Sequence, residues 1–183
     1  MRYLRLLGPD HRLEGLNLIL LEATSSKITE LYGGVARNDS GNLIMAFSVP
    51  IQCKSNNQAE AMAAMYGIYW CKQTGFNTFE LELDSLLTTD MINNKVTNNL
   101  RLKCISRDII KGINGVDVKT SHCFRKANQV ASFLSKQASS SGNGIFFYSF
   151  QHLPKGVKGL FQQDRWQLPS IRRRYDKCDF FVS

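Results

Sequence analysis

The chain has 183 residues, of which 43% are hydrophobic and 21% are charged. This composition is typical of a folded domain and excludes a disordered or collagen-like chain. A chain of this length buries roughly 70% of its unfolded surface, so it can form a core without disulfides or a structural metal. Its 23 Lys and Arg residues exceed its 15 Asp and Glu residues, for a net charge of +8. Such an excess favours a polyanionic partner, either nucleic acid or an acidic membrane surface.

The first third of the chain predicts three strands in meander order. The apolar runs 16–21 and 43–49 and the glycine-containing run 32–37 have the composition of strands. Residues 23–31 are then the first connection. The second is the turn 38–42, where Asn and Asp side chains bond to the backbone and a glycine accepts a positive φ.

A helix and an acidic strand are predicted next. Residues 57–74 are rich in Ala and Met, contain no proline and are followed by Gly75, which favours a helix with a left-handed cap. Residues 78–84 alternate apolar with acidic side chains and end in Asp84, which indicates a strand with two different faces.

The remaining periodicity predicts three helices and one more strand. The helices cover residues 85–92, capped by Ser85, 100–113 and 127–138, and the strand covers 116–124. This order predicts a mixed sheet covered by helices, with its functional face at the carboxyl ends of parallel strands. Asp84 lies at such an end.

The chain divides into an irregular start (1–15), a core domain (16–140) and a Ser/Gly joint with a basic tail (141–183). Residues 151–183 contain seven basic and three acidic residues. Two interpretations of the tail stay open. The run Arg172–Arg173–Arg174 binds a nucleic-acid backbone, with neighbouring aromatic rings stacking on bases. Alternatively, residues 145–147 and 160–161 pack on the core and the arginines are solvated.

The cysteines and the N-terminal region bear on location. The five cysteines form no C-x-x-C pair and have no histidine at zinc-site spacing. We therefore expect a reducing compartment, nuclear or cytoplasmic. The apolar run 16–21 is too short for a signal peptide or a membrane span, so no membrane partner is expected.

Four strings, in order and at characteristic separations, resemble the plant-type ribonuclease H (type 1) domains associated with retroelement reverse transcriptases. They are GGVARNDSGNLIMAFS, NNQAEAMAAMYGIYWCKQTGF, FELELDSL and SHCFRKANQVASFL. The resemblance covers residues 16–140. It implies an α/β three-layer fold with a five-stranded mixed sheet flanked by helices, and Mg²⁺-dependent hydrolysis of the RNA strand of an RNA:DNA hybrid.

The resemblance also implies a site of four acids: one at the end of the first strand, one on the first helix, one at the end of the fourth strand and one on the last helix. Glu60 and Asp84 match two of these positions directly. Glu22 falls where the first aspartate is expected and is longer by one methylene, and Ser132 falls at the fourth position. Two-metal hydrolysis requires several converging carboxylates, and Mg²⁺ prefers hard oxygen ligands. We therefore expect Glu60, Asp84 and Glu22 to hold one ion rather than two.

Each acid also has a structural interpretation. Glu60 lies three residues after Asn57, an arrangement that fits a capping box. Asp84 fits the start of the turn before the next helix, and Glu22 fits a relic of an ancestral ligand.

Four further residues are candidates by the same resemblance. His122, ten residues before Ser132, is implied to assist proton transfer or product release, or else it is a surface histidine at a strand end. Arg125, Lys126 and Asn128 are implied to contact phosphate, or else they form a solvated helix start.

Together these residues predict a nucleic-acid-binding domain, derived from a retroelement, whose hybrid-cleaving activity is weakened or lost. The alternative is a structural or protein-interaction module that kept only the fold. The sequence makes no prediction of the oligomeric state.

Overall fold

The fold is built on one six-stranded mixed sheet. It is seen in a computed structural model that describes residues 16–25, 30–51, 53, 55–124, 128–137 and 143–166. Its strands are β1 (Leu16–Ser25), β2 (Glu30–Asn38), β3 (Leu43–Ile51), β4 (Thr78–Leu83), β5 (Asp117–His122) and β6 (Ile145–Phe147). The spatial order is β5-β4-β1-β2-β3-β6. β1 is parallel to β4 and β4 to β5, whereas the β1–β2, β2–β3 and β3–β6 pairs are antiparallel.

The mixed sheet and the three-layer α/β class are confirmed, but the expected count of five strands is wrong. The sixth strand, β6, comes from the segment that the sequence assigned to the tail, and it pairs with β3. The first connection is also shorter than predicted, because the β1–β2 ladder continues through Ala23–Tyr32 to Ser25–Glu30. Backbone pairing does not require apolar side chains, so the polar composition of this hairpin hid its strands.

Five helices cover the sheet. They are α1 (Asn56–Gln73), α2 (Leu86–Asn94), α3 (Lys103–Ile113), α4 (Gln129–Gln137) and α5 (Lys155–Arg165). α1 is followed by Gly75 at φ +88°, as the sequence predicts. Residues 100–102 form a 3-10 turn before α3 rather than its first turn. None of the described helices is both long and apolar enough to cross a membrane.

The core has two halves, one on each face of the sheet. The half beneath α1, α2 and α3 contains Met45, Phe47, Ile68, Leu81 and Ile109. The half beneath α4 and α5 contains Val35, Ala46, Val130, Leu134 and Phe161. Because successive strand residues point to opposite faces, Val35 and Ala36 contribute to different halves.

Residues 145–166 belong to this packed structure. Phe161 of α5 is buried in the second half of the core. The Arg37 guanidinium carbon lies 4.3 Å from the centre of the Phe161 ring, and Arg37 Nη2 lies 2.5 Å from Asp164 Oδ2. The interpretation in which residues 145–147 and 160–161 pack on the core is therefore confirmed, and the packed structure extends beyond residue 140. Arg172, Arg173 and Arg174 lie outside the described residues.

Candidate functional site

Asp84 directly follows β4 and is half-buried. Phe79, Leu81 and Leu83 of β4 are buried beneath α1 and α2, so the alternation of the strand assigns Asp84 to the opposite face. Ser85 caps α2 by accepting a hydrogen bond from the Thr88 backbone N–H at 3.1 Å. The cap therefore belongs to Ser85, and Asp84 is not required for it.

The strand register places Glu22 beside Asp84. In the parallel β1–β4 pair, Leu20 is level with Glu82 and Leu21 with Leu83. Glu22 is the next residue of β1, as Asp84 is the next residue after β4. The two positions are thus neighbours at the carboxyl ends of adjacent parallel strands, where sites of α/β proteins form.

Glu60 is half-buried on the second turn of α1, a helix that packs over β1 and β2. The N-cap of α1 is Ser55, whose hydroxyl accepts a hydrogen bond from the Gln58 N–H at 3.4 Å. Gln58 therefore occupies the third helical position that a capping box uses, and Glu60 lies two residues beyond it. The capping-box interpretation of Asn57 and Glu60 is wrong.

Ser132 lies on α4, whose backbone comes unusually close to the sheet at Gly33. A Cβ at Gly33 would lie 2.7 Å from the Ala131 carbonyl oxygen and 2.5 Å from the Ser135 nitrogen. Gly33 is the antiparallel partner of Glu22. The helix turn that carries half-buried Ser132 therefore sits over the strand pair that carries Glu22.

The candidate ligands are oxygen donors of the kind that Mg²⁺ prefers, but few of them are charged. Glu60 and Asp84 are carboxylates, whereas Ser132 offers a neutral hydroxyl. Within the part of the chain that the structure describes, no group of three or more His, Cys, Asp or Glu side chains is arranged to hold a metal ion.

His122 ends β5, level with Leu83 of β4. Its side chain is exposed, and its ring meets that of Phe124 edge to face at a centroid distance of 5.5 Å. This exposure agrees with the surface interpretation and leaves the imidazole accessible to a ligand.

The proposed phosphate contacts at the start of α4 are placed only in part. Arg125 and Lys126 lie outside the described residues. Asn128 is fully buried, and its carbonyl oxygen accepts a hydrogen bond from the Ser132 N–H at 3.0 Å. In this structure Asn128 belongs to the start of α4 and does not present its side chain to solvent.

Sequence reasoning missed a charged cluster on the same face as Asp84. Burial and the nearby carboxylates of Asp164 and Glu80 raise the pKa of Glu82, while Arg37 opposes that rise. The alternation of acids along β4 was visible in the sequence. Nothing local indicated that Arg37 pairs with Asp164 on a helix much later in the chain.

Comparison with known proteins gave one family and many similar folds. Residues 23–138 match the model of the reverse transcriptase-like family, starting one residue after Glu22. A search of curated protein sequences found no significant match.

Three solved structures illustrate the structural likeness. RNase H1 from the archaeon Halobacterium salinarum has a TM-score of 0.62 at 23% identity, with 68% of this chain and 96% of that chain covered. A compost-derived RNase H1 in complex with an RNA/DNA hybrid has a TM-score of 0.55 at 19% identity, with 67% of this chain and 99% of that chain covered. The foamy viral protease-reverse transcriptase, also in complex with an RNA/DNA hybrid, has a TM-score of 0.58 at 15% identity, with 70% of this chain and 20% of that chain covered.

The identities are low, so the solved structures establish the fold, whereas the family model matches well over half of the chain. The sheet order, the helices on both faces and the family match agree. The chain belongs to the reverse transcriptase-like family and has a ribonuclease H-like fold.

Proposed function

We propose that the domain binds nucleic acid, prefers RNA:DNA hybrids to duplex DNA, and hydrolyses the RNA strand slowly or not at all. The observation that carries the proposal is the position of Ser132. This serine lies on α4, over the Gly33–Glu22 strand pair, and it occupies the position at which the resemblance implies an aspartate. Two structural neighbours were solved with an RNA/DNA hybrid bound, which supports the choice of ligand. The family match and the viral reverse-transcriptase neighbour support a retroelement origin.

Weak hydrolysis follows from the number of carboxylates. When bound in such a site, Mg²⁺ activates the attacking water and stabilises the leaving oxygen. In this chain Glu60 and Asp84 would hold one ion, with Glu22 at the neighbouring strand end. The serine hydroxyl at position 132 carries no charge with which to hold a second ion. Each 1.4 kcal/mol or so of lost transition-state stabilisation lowers the rate about tenfold. A bound metal ion supplies several kcal/mol of this stabilisation, so a missing ligand lowers the rate by orders of magnitude.

Hybrid binding tests the proposal directly. Fluorescence anisotropy with labelled RNA:DNA hybrid and duplex DNA of the same length and sequence should give tighter binding to the hybrid. The logarithm of the binding constant should fall linearly with the logarithm of salt concentration. Absence of salt-dependent binding to either ligand would overturn the proposal and favour a structural or protein-interaction module.

The contribution of the basic tail is measured separately in a chain that ends after Trp166. This boundary keeps β6 and α5, which a cut at Gly144 would remove together with buried Val157 and Phe161. A lower affinity and a shallower salt dependence in the shortened chain would assign nucleic-acid contacts to residues 167–183. An unchanged salt dependence would exclude such contacts.

A further inference from the structure

The positive charge of the core is distributed unevenly along the chain. Residues 16–94 contain four basic and eight acidic residues, whereas residues 95–150 contain nine basic and two acidic residues. The charge therefore changes sign after α2, and α3 lies in the basic part.

Four basic side chains form an exposed row along the start and length of α3, which we name the basic ridge: Arg101, Lys103, Arg107 and Lys111. The last three are spaced four residues apart, so they lie on one side of the helix. The first and last of these three are eight positions apart, which is about 12 Å at 1.5 Å per residue. The opposite side of α3 buries Ile109 in the core, so the ridge faces outward.

The ridge is held rigidly by contacts between α3 and α1. The Tyr69 hydroxyl donates a hydrogen bond to the Asp108 carbonyl oxygen at 3.3 Å. Lys72 Nζ donates to the carbonyl oxygens of Gly112 and Asn114, at 3.3 and 2.7 Å. A helix held in this way fixes the backbone positions from which the charged side chains extend, so binding a ligand does not require the helix itself to be ordered.

One end of the ridge adjoins the first turn of α1. Gln58 Nε2 donates a hydrogen bond to the carbonyl oxygen of Arg101 at 3.4 Å. Gln58 lies on α1 two residues before Glu60. The ridge therefore starts beside the first turn of α1. Because residues two apart on a helix do not share a face, Gln58 and Glu60 point to different sides of α1, and the ridge begins on the side that carries Gln58.

The ridge is weakly neutralised. Its one described ion pair joins Lys111 Nζ to Asp108 Oδ1 at 4.0 Å, with both side chains more than half exposed. Such surface pairs contribute little. By contrast, the face of β4 that carries Asp84 also carries Glu80 and Glu82, a row of acids that repels phosphate.

We propose that the basic ridge binds the phosphate backbone of the nucleic acid along α3. Phosphates of one strand are spaced about 3.4 Å apart along the axis of a duplex, so a 12 Å row parallel to that axis faces about three phosphates. The inference rests on the proposed function, because it assigns a surface to the same ligand.

The test uses the full chain with two charges removed from the ridge, Lys103→Gln/Arg107→Gln. A matched control, Lys155→Gln/Arg165→Gln, removes two exposed charges from α5 on the other face of the sheet. Binding of the labelled RNA:DNA hybrid is measured over a range of salt concentrations. Each phosphate contact contributes about 0.9 to the slope of log K against log salt. We therefore expect the ridge variant to lose about 2 from the slope and the control to keep the wild-type slope.

The other outcomes separate the two proposals. If the wild type binds the hybrid and both variants keep its slope, or lose equal amounts, the ridge assignment is overturned and the proposed function stands. If the wild type does not bind the hybrid, both fail. Thermal melting verifies the fold of each variant, and the single variants Lys103→Gln and Arg107→Gln, each expected to lose about 1 from the slope, provide a second measurement.

Discussion

Gly33 sets the distance between the sheet and α4. A side chain at this position would collide with the backbone of residues 131, 134 and 135, and a backbone cannot rotate away as a side chain can. The nearby Ser48 hydroxyl, buried on β3, donates a hydrogen bond to the Leu134 carbonyl oxygen. Two small residues on neighbouring strands thus seat the helix that carries Ser132.

We expect Gly33→Ala to lower the free energy of unfolding by about 2 kcal/mol or more, because the added methyl group overpacks a site bounded by backbone. Urea denaturation measures the change. The matched control is Gly159→Ala on α5, where an added Cβ meets nothing within 4 Å. Replacing a helical glycine there should stabilise by about 0.5–1 kcal/mol. A Gly33→Ala protein as stable as wild type would contradict the close seating of α4.

Glu82 gives the stability a pH dependence whose sign is fixed by its environment. Burial and the neighbouring carboxylates raise its pKa in the folded protein. The folded state therefore binds this proton more readily than the unfolded chain does. The charged form is destabilising above the folded pKa, and the penalty is relieved as the pH falls towards the unfolded value of about 4.3.

Glu82→Gln should therefore be more stable than wild type at pH 7, and the difference should shrink as the pH approaches 4. Urea unfolding at intervals between these values measures both stabilities. A variant less stable than wild type at pH 7 would show that attraction to Arg37 outweighs the burial and repulsion acting on Glu82.

At the scale of elements, the pair between Arg37 and Asp164 attaches α5 to the sheet. Arg37 is only 5% exposed and also contacts the Phe161 ring. A buried guanidinium that loses its counter-charge is costly, because its desolvation is no longer offset.

Asp164→Asn is expected to lower the free energy of unfolding by about 2 kcal/mol, somewhat less than for a fully buried pair because Asp164 is partly exposed. The control, Asp108→Asn, breaks the exposed pair with Lys111 and should cost less than about 1 kcal/mol. Thermal and urea unfolding compare the two. Equal, small effects would show that α5 docks through its apolar side chains alone.

The elements that the sequence predicted well are those whose signal is local. The Ala- and Met-rich composition of α1 and the alternation of β4 lie within short segments, so the sequence predicts both with small errors at their ends. β6 has three residues, and its partner β3 lies about a hundred positions earlier in the chain. No local pattern specifies such a pairing, which explains why five strands were expected.

The residues of the candidate site stay a prediction from the resemblance, and the structure places them only in part. The resemblance supplied Glu22, Glu60, Asp84 and Ser132, and the parallel register places Glu22 next to Asp84. The capping role assigned to Glu60 failed because Ser55, outside the predicted helix, is the actual N-cap. The burial of Asn128 depends on how α4 packs, which the order of residues alone does not reveal.

At the scale of the whole molecule, acidic and basic side chains lie on different elements. Asp84 follows the acidic face of β4, while the basic ridge starts beside the first turns of α1. The segment 145–166 braces the α4 face through β6 and α5. The proposed nucleic-acid-binding surface thus belongs to a packed fold with a depleted set of carboxylates.

Cleavage of the RNA strand of a labelled hybrid in Mg²⁺, with wild type compared with Glu22→Asp/Ser132→Asp, tests this account most directly. Restoring the four-carboxylate set should raise the rate at least about a hundredfold, equivalent to about 2.7 kcal/mol. The gain should be absent in Glu22→Asp/Ser132→Asn, which adds no charge at position 132, and lost when Asp84→Asn is added. A double variant no faster than wild type, or a wild type as fast as an intact ribonuclease H and inactivated by Asp84→Asn, would contradict the account.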